Sequence, residues 1–230
     1  MCGRMALTLP HEAMVQMFDA VPSNTLADVP NYNICPTNQI HTVTADAGRR
    51  ALRPMRWGFV PRWYNALADG PLLINARAET IAQKPAFGDA ARRRRCLIIA
   101  SGFYEWTLAA PKTRLPWYIT RTDKQPLVFA GVWQDFEQEG AVQPSCAIVT
   151  IAANKTMGQI HHRMPVLLPP DDWALWLGEA GHGAAPLMRA APEEALGFHR
   201  VDPAVNSNRA AGPELIEPWF SPDSAPREPS

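Results

Sequence analysis

Arg95-Cys96-Leu97-Ile98-Ile99-Ala100-Ser101-Gly102-Phe103-Tyr104-Glu105-Trp106 reads as two strand-like runs separated at Ser101-Gly102. Aliphatic, β-branched and aromatic side chains fill both runs, and Gly punctuates them. Outward from this stretch, similar runs occur at Ile40 to Thr44, Met55 to Val60, Leu72 to Asn75, Trp117 to Thr120, Leu127 to Phe136 and Ala147 to Ala152. β-structure therefore dominates the middle of the chain. Helix-like segments at Pro10 to Phe18, Pro85 to Arg93, Pro170 to Leu177 and Ala185 to Ala190 are too few and too irregularly placed for alternating βα units. The expected fold is α+β, a single domain with a curved mixed sheet or partial barrel flanked by short helices. Residues 1–217 form that domain. The Pro/Ser/charge-rich stretch Pro218 to Ser230 has little to bury and is expected to be a mobile tail.

With 230 residues and 47% hydrophobic content, the chain can bury a substantial core. Lys+Arg and Asp+Glu both total 22, so no net field draws the whole molecule to a polyanion or a membrane. The distribution is uneven: residues 1–100 carry 12 basic and 7 acidic side chains, residues 101–230 carry 10 and 15. Any nucleic-acid surface should be built mainly from the first half. The four cysteines, Cys2, Cys35, Cys96 and Cys146, are widely spaced with no CxxC pair, which argues against a zinc site. No apolar run reaches membrane-spanning length and no signal-peptide pattern opens the chain. A soluble, cytoplasmic and monomeric protein without metal or cofactor, nucleoid-associated only if such a nucleic-acid surface is present, is the expectation.

Cys2 is the most informative residue. A small side chain at position two permits removal of Met1 and leaves a 1,2-aminothiol at the N-terminus. Its amine condenses with an aldehyde to an imine, and its thiol then closes a five-membered thiazolidine. Both groups have ordinary pKa values near 8, so each has a reactive fraction near neutrality. Position alone leaves an accident open.

Trp57-Gly58-Phe59-Val60-Pro61-Arg62-Trp63 joins flat aromatics to Arg, a combination that suits unstacked bases. Trp57 and Phe59 alternate about Gly58 as core residues would, which leaves Trp63 as the better stacking platform. Asn75 ends an apolar run and can orient a substrate or a terminal amine without titrating, or it can simply form a turn. Glu105 lies between two aromatics. A carboxyl group in apolar company is a candidate general acid or base, though an outward-facing residue of an alternating strand fits equally. Ile160-His161-His162-Arg163-Met164-Pro165 supplies imidazole for proton transfer and guanidinium for phosphate. A metal is a poor reading there, because adjacent His side chains are expected to diverge. The run Arg92 to Arg95 could touch phosphates or be a solvated helix end.

Met1-Cys2-Gly3-Arg4, Tyr32-Asn33-Ile34-Cys35-Pro36, WGFVPRW at 57–63, INARAET at 74–80, RCLIIASGFYEW at 95–106, IHHRMP at 160–165 and the later VNSN and ELIEP together resemble the SRAP family in order and spacing. The resemblance implies an α+β domain around a half-open β-barrel, with a basic groove for single-stranded DNA. It implies a catalytic set of Cys2, Asn75, Glu105 and His161, and DNA contacts at Arg4, Asn33, Trp63, Arg77 and Arg163. This chain departs from the family pattern at Cys35, where Ala is common, at Ser101, where Asp is common, and at Lys84-Pro85.

The activity so implied is shielding of abasic sites in the DNA damage (SOS) response. Single-stranded DNA would be bound, and the ring-opened aldehyde crosslinked covalently through a Cys2 thiazolidine. His161 would assist ring opening, Glu105 would move protons among amine, carbinolamine and sugar oxygen, and the imine stage would permit weak lyase cleavage. Two alternatives use the same sequence. One is an N-terminal-nucleophile peptidase acting on its own N-terminus to expose Cys2, and the other is a non-catalytic single-strand binder built on Trp63 and the arginines.

Overall fold

The computed structural model describes residues 2–110 and 113–220. Its strands are β1 (Met5–Leu7), β2 (Ala20–Pro22), β3 (Asn31–Ile34), β4 (Gln39–Asp46), β5 (Arg49–Trp57), β6 (Asn75–Arg77), β7 (Arg95–Ala100), β8 (Gly102–Ala110), β9 (Thr113–Arg121), β10 (Leu127–Gln138), β11 (Ala141–Ala152), β12 (Arg163–Pro165) and β13 (Leu196–Arg200). The helices are α1 (His11–Phe18), α2 (Gly88–Arg93), α3 (Lys155–Gly158) and α4 (Pro170–Leu177), with 3-10 turns at Ala185–Leu187, Pro203–Asn206 and Pro213–Ile216.

One sheet runs β12-β11-β10-β7-β4-β5-β2. It closes on itself where β11 pairs in parallel with β5, Ser145 opposite Arg56 and Cys146 opposite Trp57. The closed ring is thus β5-β4-β7-β10-β11, a five-stranded barrel with the mixed pairing expected from the sequence. Two of its hairpins turn on two-residue loops, Ala47-Gly48 and Glu139-Gly140, with positive φ at every position. Such turns match the twist of the flanking strands, and glycine occupies the second place without steric cost. A second sheet, β13-β9-β8-β1-β3, puts the short N-terminal strand between β3 and β8.

The two sheets share one core. Phe103 of β8 meets Phe129 of β10 edge-on with ring centroids 5.9 Å apart, a preferred aromatic geometry. Strand alternation sends Tyr104 the other way, into a smaller cluster with Ala6, Tyr118, Val201, Val205 and Leu215. Glu105, next in the alternation, returns to the Phe103 side and is 4% exposed.

The expected elements are mostly present, with differences that have local causes. The Met55 run stops at Trp57, because Gly58 takes a φ of 136° and breaks the strand. The Leu72 run reduces to one bridge between Phe59 and Leu73 before β6 begins at Asn75. Ala185–Leu187 is a 3-10 turn and not an α-helix. Of the tail expected from Pro218 onward, residues 221–230 lie outside the described residues. Trp219 is held to the fold, its N–H donating to the Arg200 carbonyl at 2.9 Å.

Candidate functional site

Cys2 leads into β1, and that strand is held in the middle of its sheet, so the start of the chain is fixed against β8. The Tyr104 N–H donates to the Arg4 carbonyl at 2.9 Å, which brings Glu105 alongside the residues just before β1. Cys2 is 2% exposed. Burial first, then the charge of Glu105, pushes its thiol well above the usual thiol range, against a hydrogen bond from the Arg4 backbone. The thiol is therefore held protonated.

Asn75 and His161 arrive from the barrel. β11 runs past the end of its pairing with β5 and β10, and β6 and β12 take over its two edges: Asn75 lies opposite Ile148, Arg77 opposite Thr150 and Arg163 opposite Ala152. The Asn75 Nδ2 donates to the Cys2 carbonyl at 3.0 Å. Its Oδ1 is buried without a hydrogen-bond partner among the described residues, an acceptor aligned for a further N–H or O–H.

His161 is half-buried. Its Nδ1 accepts from the Arg163 N–H at 3.0 Å and lies 3.2 Å from the Arg163 carbonyl. The neutral ring with its proton on Nε2 satisfies the first contact, and a protonated ring can satisfy the second. Burial lowers the His161 pKa, opposed by the charge of Glu105. The segment before it is anchored from a distance. The Glu193 carboxylate accepts from the N–H groups of Lys155 (3.0 Å) and Thr156 (2.8 Å), while Asn154 caps α3 through Met157 N–H at 2.9 Å and donates to the Ala191 carbonyl at 3.0 Å. The His161 N–H then donates to the Met157 carbonyl at 2.9 Å.

All four residues of the expected catalytic set thus converge: Asn75 is bonded to Cys2, and Glu105 acts electrostatically on both Cys2 and His161. Glu105 and His161 line a cleft of about 840 Å³, together with Gly3, Arg4, Trp106 and Arg114.

The five expected DNA contacts divide. Trp63 is 58% exposed and Arg77 is exposed, so both are accessible. Trp57 and Phe59 are buried in the core. Arg4 lines the cleft, but its Nη1 donates to Asn33 Oδ1 at 2.6 Å and to the Val205 carbonyl at 2.9 Å. Asn33 is buried and uses Nδ2 on the carbonyls of Ser207 (3.1 Å) and Ala210 (2.6 Å). This pair ties residues 205–210 into the cleft wall. Arg163 makes a bidentate pair with Glu79, at 2.7 and 2.9 Å, and also reaches the Thr150 carbonyl at 2.7 Å. That pairing holds the Glu79 carboxyl down at about 2.

Sequence reasoning did not single out Trp106, Arg114 or Asn206 as cleft residues. The Trp106 Nε1 donates to Asn206 Oδ1 at 2.6 Å, and Arg4 lies over its ring at 5.8 Å. Adjacency to Glu105 was the available signal for Trp106; for Asn206 there was only its place in the VNSN motif. The expectation that adjacent histidines diverge is corrected: the His161 and His162 rings stack, with centroids 4.3 Å apart and planes at 29°. Stacking turns both rings' faces to each other. Among the described residues no group of three or more His, Cys, Asp or Glu gathers as a metal site, and no helix is long and apolar enough to cross a membrane.

Comparison with known proteins places the chain among relatives of similar length. The sequence matches the family described as SOS response associated peptidase (SRAP) over residues 1–208. It is 33% identical over 224 residues to the abasic site processing protein YoqW of Bacillus subtilis, covering 94% of this chain and 99% of that one. It is 29% identical over 229 residues to the abasic site processing protein YedK of Escherichia coli, covering 95% and 100%. The abasic site processing protein HMCES of Pongo abelii is 29% identical over 270 residues, covering 95% of this chain and 76% of that one. Among solved structures, a Bacteroides thetaiotaomicron protein superposes with a TM-score of 0.83 at 19% identity, covering 95% of this chain and all of the other. A Bordetella bronchiseptica protein superposes with 0.75 at 27% identity, covering 87% and 100%. With residues 1–208 matching the family and nearly its whole length in common with these proteins, the chain belongs to the SRAP family.

Proposed function

We propose that this protein processes abasic sites in DNA by capturing the sugar aldehyde covalently on Cys2 after Met1 is removed. The observation that carries the reading is the bond from Asn75 to the Cys2 carbonyl, which holds the buried Cys2 next to Gly3 in the wall of a cleft lined by Glu105 and His161. The names of the relatives as abasic site processing proteins support the substrate class.

The free amine of Cys2 adds to the aldehyde carbon to give a carbinolamine, water leaves, and an imine forms. The thiol sulfur then adds to the same carbon while its proton passes to the nitrogen, so aldehyde and aminothiol yield thiazolidine plus water. His161, biased to the neutral form, can take a proton as the sugar hemiacetal opens. Glu105 carries protons between nitrogen and the departing oxygen. Amine-first chemistry suits a thiol that burial keeps protonated, whereas a cysteine peptidase needs the thiolate. A single self-cleavage exposing Cys2 is the second reading, favoured by the family's description as a peptidase. β-Elimination from the imine would give weak lyase activity.

Single-stranded DNA is the partner that Trp63 and Arg77 favour: an exposed indole can stack only on a base that is free of its complement. Binding should weaken with salt. The protein is read as acting as a monomer in the cytoplasm.

The test is intact mass after incubation with single-stranded DNA bearing one abasic site. The expected product is protein lacking Met1 plus the DNA, less one water. Cys2→Ser keeps the amine and should give an imine that borohydride traps, but no heat-stable adduct. If protein verified to retain Met1 formed the stable adduct as fast as processed protein, the proposal would fail.

A further inference from the structure

The arginine run at 92–95 is not used by the site above. Its helix, α2, borders a second groove of about 610 Å³ whose lining includes Ile81, Arg92, Arg93, Arg95, Trp176 and His182. No Asp or Glu lines it among the described residues. Arg95 is committed to structure: it donates to the carbonyls of Trp176, Ala91 (3.1 Å) and Arg92 (2.8 Å) and lies over the Trp176 indole at 5.9 Å. That leaves three cationic or protonatable groups facing solvent. Arg92 and His182 are exposed, and Arg93, 76% exposed, touches Asp89 at 3.4 Å, an exposed pair of the kind that contributes little.

Two connections lead from the exposed Arg77 and Trp63 toward the groove. Ile81 lies four residues past Arg77 in a tight turn, with the Thr80 N–H on the Arg77 carbonyl at 3.1 Å and the Lys84 N–H on the Thr80 carbonyl at 3.1 Å. Arg62, next to Trp63, is near enough for its charge to act on Asp89, which pairs with Arg93. Trp63 and Arg62 thus offer a stacking face and a guanidinium group on the side of Asp89 and Arg93, which borders the groove.

We propose that this groove holds the phosphodiester backbone of the DNA strand beyond the abasic position, with Arg92, Arg93 and His182 as its phosphate contacts. The inference rests on the reading of the cleft as a DNA site. An apolar floor of Ile81 and Trp176 beneath cationic walls suits a sugar-phosphate chain, whose sugars are weakly polar and whose charge is spaced along one edge.

The test compares wild type with the Arg92→Ala/Arg93→Ala double variant and, separately, His182→Ala, on strands of about 8 and about 25 nucleotides, bracketing the footprint of a single-strand-binding domain. Binding is measured with intact strands, crosslinking with abasic ones. In the double variant, affinity for the long strand should fall about tenfold at low salt, and its log–log salt slope should become shallower by about 1.4, for two lost contacts. Crosslinking of the short strand should be unchanged, which also verifies folding. His182→Ala should weaken long-strand binding and leave crosslinking of the short strand unchanged. Long-strand affinity and salt slope equal to wild type in the double variant would overturn the proposal, as would an equal loss on the short strand. Failure of wild type to crosslink any abasic strand would instead refute the reading of the cleft, while the intact-strand comparison would still decide the groove.

Discussion

Asn75 Nδ2 donates to the carbonyl oxygen of Cys2 at 3.0 Å, and Asn75 belongs to β6 on the barrel while Cys2 leads into β1 of the other sheet. One amide thus ties the proposed nucleophile to a strand of the other sheet. Asn75→Ala removes that restraint without changing charge. Capture should slow by about 10- to 100-fold, the usual cost of a reacting group displaced by about 1 Å, with affinity for intact single strands unchanged. Single-turnover crosslinking and fluorescence anisotropy measure the two. Equal rates in variant and wild type would remove Asn75 from the mechanism.

The pH dependence of capture should carry the mark of His161. Burial lowers its pKa below the ordinary 6.5, so in the folded protein the ring stays neutral through neutrality and gains its proton only on further acidification. The ratio of wild-type to His161→Ala crosslinking rates, in which the titration of the Cys2 amine cancels, should hold from pH 7.5 down past 6.5 and then decline. Near neutrality the rate in His161→Ala should be lower by about 10²-fold or more. A ratio without this acid limb would assign the proton transfer to another group.

How much of this was legible in the sequence depends on the range of each interaction. α4 falls at Pro170–Leu177 as its sequence indicates, because its signals are local: proline at the first turn and Gly178 in the left-handed conformation at the end. The burial of Trp57 and Phe59 and the exposure of Trp63 likewise follow from alternation and the break at Gly58. The roles of Arg4 and Asn33 were not readable. Each is a polar residue in a short motif, yet their partners lie at Val205, Ser207 and Ala210, some 170 to 200 positions away, and no pattern along the chain encodes such a pairing. Arg163 and Glu79 are 84 apart for the same reason. Strands of three residues, such as β1, β6 and β12, are too short for alternation to declare them.

Stability should also respond to acid through a pair remote from the cleft. His41 is 2% exposed, and its Nε2 lies 3.1 Å from that of His11. Burial, reinforced by the neighbouring His11, lowers the His41 pKa from 6.5 to about 4. A base with a depressed folded pKa binds its proton more readily when unfolded, so its contribution is full above 6.5, is lost as pH falls toward 4, and changes no further below that. The loss should be on the order of 3 kcal/mol across that window. Urea unfolding of wild type and His41→Gln at pH 7 and pH 4.5 measures it, and the variant should show the smaller difference. Equal differences would assign the acid sensitivity elsewhere.

Glu193 offers the sharpest separation of positioning from chemistry. It is exposed and touches none of the four residues of the site, yet its carboxylate holds the N–H groups of Lys155 and Thr156, and the segment they begin delivers the Met157 carbonyl that fixes the His161 backbone. Removing the carboxylate leaves those two N–H groups to water and lets α3 fray. If His161 depends on that anchor, Glu193→Ala should lower the crosslinking rate several-fold with unchanged DNA affinity. It should also move the acid limb back up toward 6.5, because a looser segment exposes the imidazole to solvent. Glu193→Gln keeps one acceptor oxygen and should restore part of both. Combined with His161→Ala, the Glu193 substitution should add nothing, since its whole effect passes through that ring. Additive losses in the double variant would mean that Glu193 acts on the fold and not on His161.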